Sequence, residues 1–293
     1  MAAIVNLADY QFQLGEVPFG LGYDVRVESL DLGTSDTRTG DADGYGDFRR
    51  FGRDRKTPQT WSFVMHTRGA DEASALESLA RLEAAWDAET ERGIPGAVVP
   101  LRYQFAGRTR VVFGRPRNFH VVPATSMRVG HLQITGDFDR VDTMYYEDVE
   151  QSATLGLGAS SVGGYKTPWV TPLRSLQANS ARVNQIYVGG TAPTWGIIEF
   201  TGGMSNPWVE VSDWRVQLTQ TIPYDDAVRI DPRPWKRTVT RKDGAHVPGW
   251  LSVRSRMGVM KLDPGYHEAR FGASGSVGDV LVKVRWFNAH KSL

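Results

Sequence analysis

No cysteine occurs among the 293 residues, which excludes disulfides, thiolate metal sites and a cysteine nucleophile together. Net charge is nearly absent too. At +1 the chain has no overall field to draw it to nucleic acid or to an anionic membrane, so neither partner is expected. No run approaches the ~20 apolar residues that span a bilayer, so membrane insertion is not expected either. The opening MAAIVNLADYQF lacks a basic n-region and a long apolar core. No signal peptide is therefore expected, and the chain reads as one made and kept soluble in a cytoplasm.

Local catalytic and ligand-binding motifs are also missing. GASSVGGYKT (158–167) has the glycine spacing of a phosphate loop, but Gly164 stands where lysine is required and Lys166 comes two positions late. GASGS (272–276) fails as a nucleophile elbow because Ser276 replaces the last glycine. In DADGYGD (41–47), Asp41, Asp43 and Asp47 offer oxygen ligands, yet Gly52 falls where a calcium loop needs its bidentate glutamate. The six histidines (66, 120, 131, 246, 267, 290) form no metal-binding pair. Asp137 and Asp139 share one strand face, but nothing sets them across a cleft as glycoside hydrolysis demands. No catalytic residue, metal or cofactor is implied, and the chain reads as a non-enzyme.

What is present is strand signal. Glycine (31) and proline (15) are frequent, and nine tryptophans, ten tyrosines and twelve phenylalanines suit short strands joined by tight turns. Period-two alternation places Val25, Val27 and Ser29 on one face, likewise Trp61, Phe63 and Met65, and again Leu101, Tyr103 and Phe105. It is cleanest over 131–141, where Leu132, Ile134 and Phe138 oppose Gln133, Thr135, Asp137 and Asp139. One segment differs. Over 71–91 there is no glycine or proline, and Ala75, Leu79, Leu82 and Trp86 form an apolar stripe at helical spacing. Asp71 reads as its N-cap.

Two stretches lack periodicity. Residues 33–58 are polar and glycine-rich, then basic, and loops of that length are functional or disordered. Residues 151–180 gather Gly, Ser and Pro and read as a linker. The expected domains are therefore 1–150 and 181–293. The second shows turn signals at the spacing of a sandwich or barrel, with a slip of apolar phase at Ser212–Asp213 that reads as a β-bulge. Val280, Val282, Val284 and Trp286 close the chain as an alternating strand.

Charge is arranged in blocks. Arginines 102, 108, 110, 115, 117 and 128 are followed by six acids between Asp137 and Glu150, against one arginine. Such blocks pair within a sheet, pair between subunits, or stay solvated. Tryptophans 195, 208, 214, 235 and 250 all fall in the second domain. Trp214 and Trp250 suit a core, and Trp195 and Trp208 are candidates for stacking on sugar rings in a carbohydrate-binding adhesion module.

Three stretches together resemble the distal tail protein of long-tailed phages, the minor tail protein family of actinobacterial phages. The first is the basic loop running into Pro58-Gln59-Thr60-Trp61-Ser62-Phe63-Val64 and the single helix. The second runs from Leu101-Arg102-Tyr103 through Gly107-Arg108 and Val112-Phe113-Gly114-Arg115-Pro116-Arg117 to Asp142-Thr143-Met144-Tyr145-Tyr146-Glu147-Asp148. The third comprises Gly190, Pro193, Asn206-Pro207, Ile230-Asp231, Asp243-Gly244 and Leu262-Asp263-Pro264-Gly265. The resemblance implies a mainly β chain of two β-sandwich domains. The first would carry one packed helix, and the second would be a galectin-like jelly roll. It also implies a virion protein at the tail tip, assembled in the host cytoplasm into a ring that is usually hexameric. Its partners would be the tail tube protein, the tail-associated hub protein and the tape measure protein. The residues expected at assembly interfaces are Arg49, Arg50, Arg53 and Arg55 in the loop, with Arg115, Arg117, Asp137 and Asp139 in the charge blocks.

Overall fold

The computed structural model describes residues 5–34, 36–43, 48–157 and 183–293. The chain divides into two compact units, 1–148 with 290–293, and 149–289. The region 158–180, expected as a linker, lies outside the described residues, as does the phosphate-loop look-alike. Residues 151–157 are not linker; they continue a strand that starts at Tyr145. Glycine and serine content misleads there because a strand residue needs only its alternate neighbours to be apolar, and Leu155 is buried.

In the first unit the main strands are β1 (Gln11–Leu14), β2 (Val17–Gly20), β3 (Val25–Asp31), β4 (Thr60–Thr67), β5 (Val99–Phe105), β6 (Arg108–Val122), β7 (Gln133–Arg140) and the start of β8 (Tyr145–Leu157), which from Val149 onward belongs to the second unit. β6 does the organising. Its first half pairs with β5, which pairs with β1 and then β2; its second half, from Gly114, pairs with β7, then β4, then β3. The two halves face one another across an aromatic core. Phe12 of β1 meets Phe63 of β4 edge-on at 5.5 Å, and Trp61 of β4 meets Tyr103 of β5 at 5.2 Å. The alternation in β4, β5 and β7 is borne out: Trp61, Phe63, Met65, Leu101, Tyr103, Ile134 and Phe138 are all buried. In β3 a register shift between Val27 and Ser29 breaks it, and only Val25 is buried.

The helix α1 (Glu72–Asp87) covers one end of this core. Asp71 caps it: its carboxylate accepts from the Ser74 N–H at 2.9 Å, while Ser74 Oγ accepts from the Asp71 N–H. The stripe Ala75, Leu79, Leu82 and Trp86 is buried as the spacing required. The helix stops at Ala88, whose left-handed backbone (φ 45°) separates it from a single turn, Glu89–Arg92; it does not run on to 91. Trp86 lies flat on Gly136 of β7, where a Cβ would come within 2.8 Å of the indole. Its Nε1 donates to the Arg117 carbonyl at 2.9 Å.

In the second unit the main strands are β9 (Val183–Val188), β10 (Ile197–Ser205), β11 (Trp208–Val211), β12 (Trp214–Gln217), β13 (Ala227–Asp231), β14 (Thr238–Arg241), β15 (Gly265–Gly272) and β16 (Gly275–His290). They form two sheets. One has the order β9-β15-β11-β12 and the other runs β16-β10-β13-β14. Val209, Val216 and Phe271 from the first pack against Phe200, Val228, Ile230, Val282 and Val284 from the second. The unit is a two-sheet β-sandwich. The phase slip at Ser212–Asp213 is a chain reversal, not a bulge. Val211 opposes Trp214, so two residues turn the hairpin, with Ser212 in the left-handed region (φ 50°) that such turns require.

Candidate assembly site

The described part of residues 33–58, expected as a long loop, forms a two-stranded arm. Thr37–Arg38 pairs with Arg55–Lys56, and Ala42–Asp43 pairs with Arg49–Arg50. The Thr57 N–H donates to the Asp36 carbonyl at 2.9 Å, and the Gly52 N–H to Asp41 Oδ1 at 3.0 Å. Glycine is required at 52, since a Cβ would lie 1.9 Å from the Gly40 carbonyl oxygen of the opposite strand. No described residue of this stretch belongs to the core.

Charge is segregated along the arm. The described ascending half, 36–43, holds Asp36, Asp41 and Asp43 against Arg38; the descending half, 48–56, holds Arg49, Arg50, Arg53, Arg55 and Lys56 against Asp54. All four arginines of the descending half are exposed. Arg49 lies 3.9 Å from Asp41, while Arg50, Arg53 and Arg55 meet no carboxylate among the described residues. Arg55 stands directly opposite Arg38, a like-charge pairing that weakens a ladder. Phe48 and Phe51 interrupt the basic run and are 63% and 80% exposed. Isolated two-stranded ribbons are marginal in water, and this one adds bare aromatics and unpaired charge. A partner offering carboxylates and apolar surface would relieve both costs, because a guanidinium fork matches a carboxylate in two hydrogen bonds.

The other four candidate interface residues are engaged within the unit. Arg115 donates from Nε to the Ala97 carbonyl at 2.7 Å and from Nη2 to the Ile94 and Glu91 carbonyls at 2.7 and 3.1 Å, fastening the segment after the helix. Arg117 pairs with Asp139 at 3.5 Å. Asp139 also accepts from Thr60 Oγ1, and Asp137 accepts from Ser62 Oγ and the Asn118 amide. The opposed charge blocks thus meet inside the unit: Arg110 pairs with Glu147, and Arg102 makes a bidentate contact with Asp148 while also donating to Gln13 and the Val5 carbonyl. Sequence spacing could not distinguish a carbonyl-bound Arg115 from a free one.

Further along, Arg140 is buried and, among the described residues, meets no carboxylate; it donates to Gln59 and the Met144 carbonyl. Its guanidinium lies 4.3 Å from the Tyr145 ring centre and 5.5 Å from that of Trp61. Burial raises the pKa of nearby Asp142 against the lowering effect of its hydrogen bond from Tyr146. On the opposite face, the rings of His66 and His131 lie 5.0 Å apart, tilted at 42°, and burial followed by the His131 charge lowers the pKa of His66. Among the described residues no group of three or more His, Asp or Glu is placed to hold a metal, and no helix is long and apolar enough to cross a membrane.

In the second unit the candidate stacking tryptophans are partly covered. The Lys261 ammonium lies 5.0 Å over Trp195, and the Arg215 guanidinium 4.2 Å over Trp208, whose ring rests on Gly272. Trp214 is core and donates to the Lys261 carbonyl at 2.8 Å. Other rings of this unit are exposed, Tyr224 alone and Tyr187 and Tyr266 as a pair, an adjacency that arises only from pairing of β9 with β15.

No family model matches the sequence, and no curated protein matches it. Solved structures do. The SPP1 Dit protein, described as a paradigm of the hub adsorption apparatus in phages infecting Gram-positive bacteria, superposes with a TM-score of 0.59 at 11% identity, over 95% of this chain and 98% of that one. A chain of the phage P2 baseplate in its activated conformation with calcium gives 0.57 at 11% identity, over 94% and 97%. The corresponding baseplate with strontium gives 0.58 at 12% identity, over 94% and 97%. The likeness runs through both units, and the chain has the fold of a phage distal tail and baseplate-hub protein.

Proposed function

We propose that the chain is a structural, non-enzymatic component of a phage tail tip: a distal tail protein that closes into a ring, six copies in the simplest case, between tail tube and baseplate hub. The fold likeness supports the class of protein, and the arm is the observation that carries the assembly. A ring requires heterologous contacts, in which each subunit offers two different surfaces. The acidic ascending half and the basic descending half of one arm are such a pair. The basic half of one copy would meet the acidic half of the next, with Phe48 and Phe51 buried at the contact. Arg49, Arg50, Arg53 and Arg55 are the residues assigned to it; Arg115, Arg117, Asp137 and Asp139 support the unit that bears it. The tube, hub and tape measure proteins are the partners this reading implies, and the virion its location after assembly in the host cytoplasm.

Mass measurement of the purified full chain tests the reading. A discrete particle near six times the 32.5 kDa chain mass is expected. A stable monomer at all concentrations, with no association to tail components, would contradict it. Deleting residues 36–57 is expected to abolish the ring and leave a folded protomer.

A further inference from the structure

We propose that the outer face of the sheet β9-β15-β11-β12 is a saccharide-binding surface, with Tyr187 and Tyr266 as its stacking platform. Strand alternation fixes which side chains point out. Ile186, Val188, Ala269 and Phe271 are buried in the sandwich core, so Gln185, Tyr187, Tyr266, Glu268 and Arg270 face the other way. Tyr187 and Tyr266 stand directly opposite in the ladder, with ring centres 4.9 Å apart and planes inclined at 49°. They are 61% and 71% exposed. Two large rings side by side in water are a cost that a ligand would remove.

The surroundings of the pair select the ligand. One rung along, Gln185 opposes Glu268; on the next, Glu210 opposes both Arg270 and Arg215. Arg270 donates to Glu268 through Nε at 2.8 Å and holds that carboxylate in place. Among the described side chains of this face none is aliphatic; every neighbour of the rings carries an amide, carboxylate or guanidinium. Such a surface sets two apolar rings among groups that donate and accept hydrogen bonds. A pyranose fits it well. Its C–H face is apolar and lies on an aromatic ring, while its rim hydroxyls both donate and accept, as carboxylate, amide and guanidinium together require. Trp208, the tryptophan on this face, is covered by Arg215, so the tyrosines take the stacking role.

The inference does not depend on ring formation. The experiment exposes the full chain to a microarray of bacterial surface polysaccharides and then titrates it with an oligosaccharide of the best-retained polymer, while light scattering records oligomeric mass independently. Wild-type retention of at least one polysaccharide is expected. Tyr187→Ala and Tyr266→Ala should each weaken the titrated affinity about tenfold or more, and Tyr187→Phe and Tyr266→Phe by no more than about threefold, since stacking survives loss of the hydroxyl. Glu268→Gln, which keeps shape and fold, should weaken it about threefold or more and serves if an alanine variant fails to fold. Retention of no polysaccharide, or affinity unchanged by Tyr187→Ala, Tyr266→Ala and Glu268→Gln, would overturn the proposal whatever the mass of the particle.

Discussion

Arg102, Arg110, Arg115 and Arg117 lie in the body of the first unit, and Arg49, Arg50, Arg53 and Arg55 lie in its arm. Both groups come from dense basic stretches, and sequence alone treats them alike. The body arginines have partners from distant parts of the chain: Asp148 for Arg102, Glu147 for Arg110, Asp139 for Arg117 and three carbonyls for Arg115. Among the described residues of the arm, Arg49 approaches a carboxylate, at 3.9 Å, and Arg50, Arg53 and Arg55 do not. The difference teaches where charge serves stability and where it is available to a partner. Buried, hydrogen-bonded charge holds the fold, and removing one member leaves the other uncompensated. Exposed charge adds little to the stability of the subunit that carries it.

Substitutions sharpen that contrast. Arg102→Ala should have the largest effect, a loss of roughly 2–4 kcal/mol in urea unfolding, because Asp148 and Gln13 would be left partly buried without their partner. Arg115→Ala follows at roughly 1–3 kcal/mol, since three carbonyls of the segment after α1 lose their donor. Arg117→Ala, in a pair about half exposed, should cost no more than roughly 0.2–1 kcal/mol. If Arg117→Ala proved as damaging as Arg102→Ala, burial would not be what separates these pairs.

Acidity gives a smaller effect within the body. Burial and then the His131 charge hold His66 below its ordinary value of 6.5, so the fold favours neutral His66. That contribution is complete above pH 6.5 and is lost as pH falls through the lowered pKa, where the unfolded chain takes up the proton more readily. His66→Gln should therefore flatten the fall in melting temperature on acidification just below pH 6.5. An unchanged pH profile would remove His66 from the account.

Much of this fold is legible in the sequence, for identifiable reasons. Trp61, Phe63 and Met65, or Val280, Val282, Val284 and Trp286, each repeat a buried position every second residue, and each set is buried. Asp71 and the stripe to Trp86 state the helix and its start just as directly. The arm was not legible as structure because its ladders are two residues long and exposed on both faces, so no alternation marks them. Ser212–Asp213 was misread because a bulge and a two-residue reversal shift apolar phase alike. The paired tyrosines and the carbonyl-bound Arg115 depend on contacts between residues far apart in the chain. Period and composition do not encode such contacts.

The arm supplies the decisive comparison. In the chain carrying Arg49→Glu, Arg50→Glu, Arg53→Glu and Arg55→Glu together, unfolding free energy should stay within about 0.5 kcal/mol of wild type, as expected for exposed positions. Multi-angle light scattering of that variant beside the wild type tests the central claim most directly. The account predicts a closed ring for the wild type and a folded protomer for the variant. A variant ring of wild-type mass would contradict it.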